Sequence, residues 1–217
     1  MAEATTDPAK ADEAAELKEL AAQLDRARMI QIGSFHFAML MGVITLWGAA
    51  ETWLQVTGWG IARFASVGTA LVAAFVLTSV VHEWGHFAGA RRSGAVSPVL
   101  EEVRRHFFMF DFAMDRNDTR QFVWMSWGGI LAPWLVILLV VLFVPLGTLG
   151  AQVLLATLLA RAVSIAVFEA PIALAAADGG DPGAELGKAV AGGGLAHGRK
   201  VGTAVGVGFF LLLWLAA

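Results

Sequence analysis

Leu71-Val72-Ala73-Ala74-Phe75-Val76-Leu77-Thr78-Ser79-Val80-Val81 runs directly into His82-Glu83-Trp84-Gly85-His86. The first part carries no charge and suits the interior of a bilayer. The second puts two imidazoles and a carboxylate on the same helix, where ionisable groups are costly and need partners. His82 and His86 are four residues apart, so a helix sets both rings on one face, close enough to share one cation. Glu83 lies about 100° around the helix from His82. There it can take a proton from water at the cation without itself being a ligand. His82 precedes Arg91 by nine residues, or roughly 13 Å of helix axis, so the motif sits inside the membrane but toward one face. Gly85 allows another helix or a substrate backbone to come close.

Outward from this stretch the chain stays apolar. Of 217 residues, 58% are hydrophobic and 15% charged, against about 25% charged in an ordinary soluble domain. With 8 Trp and 14 Phe, a soluble fold of this size could not hide its apolar surface, and lipid is the expected solvent. A net charge of -3 gives no reason to expect nucleic acid. Cysteine is absent, which removes disulfides and thiolate metal ligands. Residues 1–30 lack the basic start and apolar core of a cleavable leader, so uncleaved helices are expected to direct insertion.

Five apolar segments predict five transmembrane helices, over about Ile32–Val56, Ile61–Ala90, Phe122–Leu146, Ala151–Ala177 and Val201–Ala217. The fold class expected is an all-α membrane protein. Residues 1–30 read as a cytoplasmic amphipathic arm ahead of a membrane domain at 31–217. Within the arm, Asp7 and Pro8 can start a helix over Ala9–Arg28, with Leu17, Leu20, Ala21 and Leu24 as its apolar stripe. Lys10, Lys18, Arg26 and Arg28 precede the first span. Arg91, Arg92, Arg104, Arg105, Arg116 and Arg120 lie between the second and third, and Lys188, Arg199 and Lys200 between the fourth and fifth. Every basic residue except Arg63 and Arg161 therefore falls on one side. That side is cytoplasmic by the positive-inside rule, with the C-terminus outside. A multi-pass protein of a bacterial inner membrane is expected.

After the metal-motif helix, His106-Phe107-Phe108-Met109-Phe110-Asp111-Phe112 alternates in part, which predicts a short strand at the membrane surface. The Gly-rich stretch from Gly179 to Gly198 reads as a flexible loop. Arg161 is an intramembrane charge with Glu51 or Glu169 as possible partners. Gly202 and Gly206 form a GxxxG, a signal for helix packing. His36, His106 and His197 have no ligand spacing.

A catalytic zinc takes three protein ligands and leaves one position open. Beyond His82 and His86, the third must come from the same depth on another span. The fourth span ends in Glu169-Ala170-Pro171 and, further on, Ala177-Asp178-Gly179-Gly180-Asp181. Pro171 interrupts the helical hydrogen bonds, and Gly179 and Gly180 let the chain unwind. A carboxylate on such a loosened end could swing to the metal. Asp178 is the first choice, Asp181 the second and Glu169 the third.

These residues together resemble the site-2 protease family of intramembrane zinc metalloproteases. The likeness covers roughly Val80 to Asp181. It rests on His82-Glu83-Trp84-Gly85-His86 with the exit Ala90-Arg91-Arg92-Ser93-Gly94, on Gly128-Gly129-Ile130-Leu131-Ala132-Pro133, and on Pro171 with Asp178-Gly179-Gly180. The resemblance implies that His82, His86 and an Asp of the later span bind Zn2+. It implies that Glu83 is the catalytic base, and that the substrate is a transmembrane segment of another protein. The family's spacing from Pro171 would put the ligand at Ala176, and its two Asn positions hold Phe168 and Pro133. These departures motivate a second reading, a catalytically degenerate metal-binding scaffold that acts through a regulatory membrane partner or a second copy of itself. A di-iron oxygenase would need more His than the 5 in this chain.

Overall fold

Helices are favoured throughout, because main-chain polar groups in lipid must be satisfied within their own segment. The computed structural model describes residues 8–104 and 107–216. They form α1 (Pro8–Thr57), α2 (Gly60–Arg92), α3 (Thr119–Phe143), α4 (Leu149–Ala177), α5 (Pro182–Ala191) and α6 (Gly194–Ala216). All but α5 are long and apolar enough to cross a membrane, so the chain is an all-α, multi-pass membrane protein. The end of the bundle with the α2–α3 and α4–α5 connections is called the near end here. The end with the α1–α2 and α3–α4 connections is the far end.

α2 is the central helix. Half of its most apolar window is buried, against 11% for α1 and for α6, which face outward. Ala70, Ala73 and Ala74 of α2 meet Val140 of α3 and Leu154, Leu155 and Leu158 of α4 in the far half of the core. At the near end, Ile32 of α1 and Phe87 and Ala90 of α2 enclose Val99, Met109 and Phe110 of the following loop.

Small residues set the closest approaches. A Cβ on Gly85 would overlap the Gly128 carbonyl, and one on Gly89 the Trp124 carbonyl, so α2 and α3 touch backbone to backbone. On the other side, Gly198, Gly202 and Gly206 of α6 lie against Ser164, Ala160 and Ala156 of α4. The GxxxG of the last span is thus a packing seam, one turn longer than the sequence pattern indicated.

α1 runs unbroken through the expected arm and the first span, about 75 Å at 1.5 Å per residue. Three polar contacts pin it to antiparallel α2. Asp25 pairs with Arg91 at 2.6 Å, Trp84 Nε1–H donates to buried His36 at 3.1 Å, and Ser66 donates to buried Glu51. The last contact sits against Gly150, where a Cβ would overlap both side chains. Glu51 therefore closes the far end instead of pairing with Arg161.

The expected surface strand is not formed. Among the described residues there is a single antiparallel bridge, Val99 with Phe110. Hydrogen bonds from Leu100 N to Met109 O and from Asp111 N to Pro98 O flank it. Phe107 has φ 70, which takes the chain out of extended conformation, and adjacent Met109 and Phe110 are both buried, so the segment has no alternating face. His106 lies outside the described residues. Asp25 also accepts from Val99 N at 2.7 Å, and Arg91 donates to Ser97 O at 2.9 Å, tying this loop to α1 and α2. The Gly179–Gly198 stretch is likewise ordered. Asp181 caps α5 by accepting from Ala184 N at 2.7 Å, and α6 begins at Gly194.

The seam makes a stability prediction. Gly202→Ala drives a methyl into the Ala160 carbonyl and is expected to cost about 1–3 kcal/mol in detergent unfolding. Gly42→Ala, where nothing lies within 4 Å, serves as control and is expected to be neutral or stabilising.

Candidate metal centre

His82 and His86 stand one turn apart on the face of α2 that meets α3 and α4. Their ring centroids are 4.4 Å apart. His82 Nδ1–H donates to Gly129 O at 3.0 Å, and His86 Nδ1–H donates to Met125 O at 2.9 Å. A carbonyl can only accept, so each Nδ1 carries a proton and both Nε2 atoms point away from α3. This second-layer hydrogen bonding is what orients imidazole ligands in metal sites.

The two acceptors are four residues apart on α3, matching the spacing of the two donors on α2. Gly129 O has a specific reason to be free. Its helical partner would be the N–H four residues on, and that residue is Pro133, which has none. Pro133 is buried inside the continuous α3. It leaves a carbonyl without an intrahelical partner at the position His82 uses. Gly129 itself must lack a side chain, since a Cβ there would enter the His86 ring.

The third group is Glu169 of α4. Its Oε1 is 3.2 Å from His82 Nε2, and its Oε2 is 3.5 Å from His86 Nε2. The two Nε2 atoms are 3.2 Å apart. Ligands held 2.0–2.1 Å from a tetrahedral zinc would lie roughly 3.3–3.4 Å from one another. The donor set thus fits a single zinc in size and chemistry. Among the described residues, His82, His86 and Glu169 are the one group of His, Asp and Glu side chains that could hold a metal.

Glu83 is buried beside this group, with Oε1 3.9 Å from His82 Nε2. It is farther from the imidazole than Glu169 is, and outside the ligand triangle. Asp178 and Asp181 are elsewhere. α4 stays helical past Pro171 to Ala177, and Asp178 is its exposed C-cap. Nine helical residues from Glu169 amount to about 14 Å and half a turn out of phase, so Asp178 is on the opposite face of α4. Asp181 is the N-cap of α5. The loosening that would have let either acid swing inward does not occur in α4. The sequence signal for Glu169 was its position as an acid within an apolar span.

A cavity of about 620 Å³ opens from this group between α2, α4 and α6. His82, Glu83 and Glu169 line it together with Phe75, Ser79, Arg161 and Arg199. That volume is within the usual range for a ligand site. No family model, curated protein or solved structure matches the chain.

Two outcomes follow for metal binding, read by zinc content and affinity of the purified protein. His82→Ala, His86→Ala and Glu169→Ala are each expected to abolish stoichiometric zinc, and Asp178→Ala to retain it. Pro133→Ala restores a competing N–H for Gly129 O and is expected to weaken zinc binding about 10–100-fold, the usual cost of losing an outer-layer partner.

Proposed function

We propose that the chain is an intramembrane zinc metalloendopeptidase that cuts a transmembrane segment of another membrane protein. The observation that carries this reading is the triangle of His82, His86 and Glu169 ligand atoms with the Glu83 carboxylate beside it, inside an apolar bundle and open to a cavity. The likeness of His82-Glu83-Trp84-Gly85-His86 and its exit to the site-2 protease family supports the same reading, with Glu169 in place of the family's Asp.

Zinc bound to His82, His86 and Glu169 would supply a Lewis acid for water and for a peptide carbonyl. The remaining work falls to the chain. The α3 carbonyls hold the two imidazoles by Nδ1, with Nε2 of each facing the cavity side. Glu83, at hand in the same cavity, accepts a proton from the attacking water and returns it to the leaving amine. The walls of α2, α4 and α6 restrict bulk water and admit a substrate from the side. Its helix must open locally there, because an intact helix buries its peptide groups in its own hydrogen bonds.

A second reading keeps the metal and drops the chemistry. Phe168 lines the cavity and Pro133 is packed into α3, at the two positions where the resembled family carries Asn. A scaffold of the same fold would bind zinc and a membrane partner without cutting it.

The test is reconstitution of the zinc-loaded protein in vesicles with a panel of single-span model substrates. Glu83→Gln is expected to keep full zinc content and to lose cleavage by about 10²–10⁴-fold. Normal cleavage by Glu83→Gln refutes the base assignment. Stoichiometric zinc with no cleavage by the unaltered chain across the panel favours the scaffold.

A further inference from the structure

The cavity extends well beyond the metal group. α6 packs along α4 and not along α2, so the space is a cleft with α4 as its floor and α2 and α6 as its walls. On the floor, Arg161, Ser164, Phe168 and Glu169 follow one another at helical spacing and all face the cleft. On the α2 wall, Phe75, Ser79, His82 and Glu83 do the same. Polar side chains from α2 and α4 therefore face each other across a largely apolar cleft, with the metal group toward the near end and Arg161 toward the far end.

The Arg161 guanidinium donates from Nη2 to Ser79 Oγ at 2.8 Å. Its Cζ lies 4.3 Å from the centre of the Phe75 ring, and its Nε is buried without a hydrogen-bond partner among the described residues. A cation within a membrane span that lines a cleft is a candidate functional site by default. A guanidinium offers paired, parallel donors matched to a carboxylate. Ser79 and the Phe75 face hold the planar group ready, so little ordering is lost when such a partner arrives.

Spacing converts this into a substrate rule. The Arg161 guanidinium sits against Ser79 and Phe75, three and seven residues before His82 on α2, or roughly 5–10 Å along the helix axis. An extended peptide covers that distance in roughly two to three residues at about 3.3 Å each. Resting on the peptidase reading above, we propose that Arg161 is a specificity residue. It binds the side-chain carboxylate of a substrate Asp or Glu about two to three residues to the far-end side of the bond presented to Glu83.

The experiment uses the full zinc-loaded chain carrying Glu83→Gln, in phosphatidylcholine vesicles at pH 8, so that binding is read without turnover. The probes are fluorescent single-span Leu/Ala peptides with a central Gly-Gly pair. They differ only in carrying Glu, Gln or Lys about three residues to the far-end side of it. The Glu peptide is expected to bind at least 10-fold more tightly than the Gln peptide, a comparison that needs no change at Arg161. Arg161→Gln is expected to erase that preference, Arg161→Lys to keep part of it, and Arg161→Glu to transfer it to the Lys peptide. Zinc content measured in parallel reports that each variant is folded. A guanidinium that only pins α4 to α2 would produce no transfer. Equal affinity for the Glu and Gln peptides, or no binding of either, overturns the proposal. So does loss of the preference when phosphatidylglycerol is added, which would assign the guanidinium to a lipid headgroup. An Arg161-dependent preference with no cleavage of any probe by the unaltered chain leaves the docking rule standing and removes the peptidase reading instead.

Discussion

Two hydrogen bonds from imidazole N–H groups of α2 to main-chain carbonyls of α3 hold the centre together. Each needs the helices at near-contact, and this is why Gly85, Gly89, Gly128 and Gly129 cluster at that crossing. In lipid there is no hydrophobic drive to push helices together, so close packing and interhelical hydrogen bonds must do it. The same contacts that join α2 to α3 also hold both rings by Nδ1 and turn their Nε2 atoms toward Glu169. Assembly of the bundle and preparation of the ligand set are therefore one event.

The arrangement also explains how polar groups are tolerated among apolar helices. An isolated imidazole or carboxylate in a span would be costly. Here each meets a designated partner: His82 and His86 meet carbonyls and Glu169, Glu51 meets Ser66, His36 meets Trp84, and Arg161 meets Ser79. The helices α1 and α6 lie at the periphery, and the cluster of His82, His86 and Glu169 is carried by α2 and α4.

Much of this was legible in the residues. The five spans follow from the length and hydropathy of their segments, and the His82–His86 pair from its spacing inside an unbroken apolar run. The third group was harder. Pro171, Gly179 and Gly180 point to a loosened helix end that would let Asp178 swing to the metal. Counted from the helix ends, however, His82 and Glu169 lie at nearly equal depth, ten residues before Arg92 and eight before Ala177, whereas Asp178 is at the surface. One missing N–H at Pro171 does not end a helix that neighbours hold on both sides. The role of Pro133 was present as a Gly-x-x-x-Pro spacing, yet it acquires meaning only once His82 is seen to face Gly129. The aromatic loop misled through its partial alternation, since a single left-handed residue, Phe107, is invisible to pattern. The run from Arg28 to Ile32 contains neither Gly nor Pro, so nothing local separated arm from span.

That unbroken first helix has a mechanical consequence. Its attachments at Asp25, His36 and Glu51 span 26 residues, about 39 Å of rod, and meet α2 at Arg91, Trp84 and Ser66 in antiparallel order. A sliding motion of α2 along its own axis would have to break all three attachments together, because a rigid rod cannot lengthen to let one yield before the others. The height of the two imidazoles relative to α1 is thereby clamped from end to end.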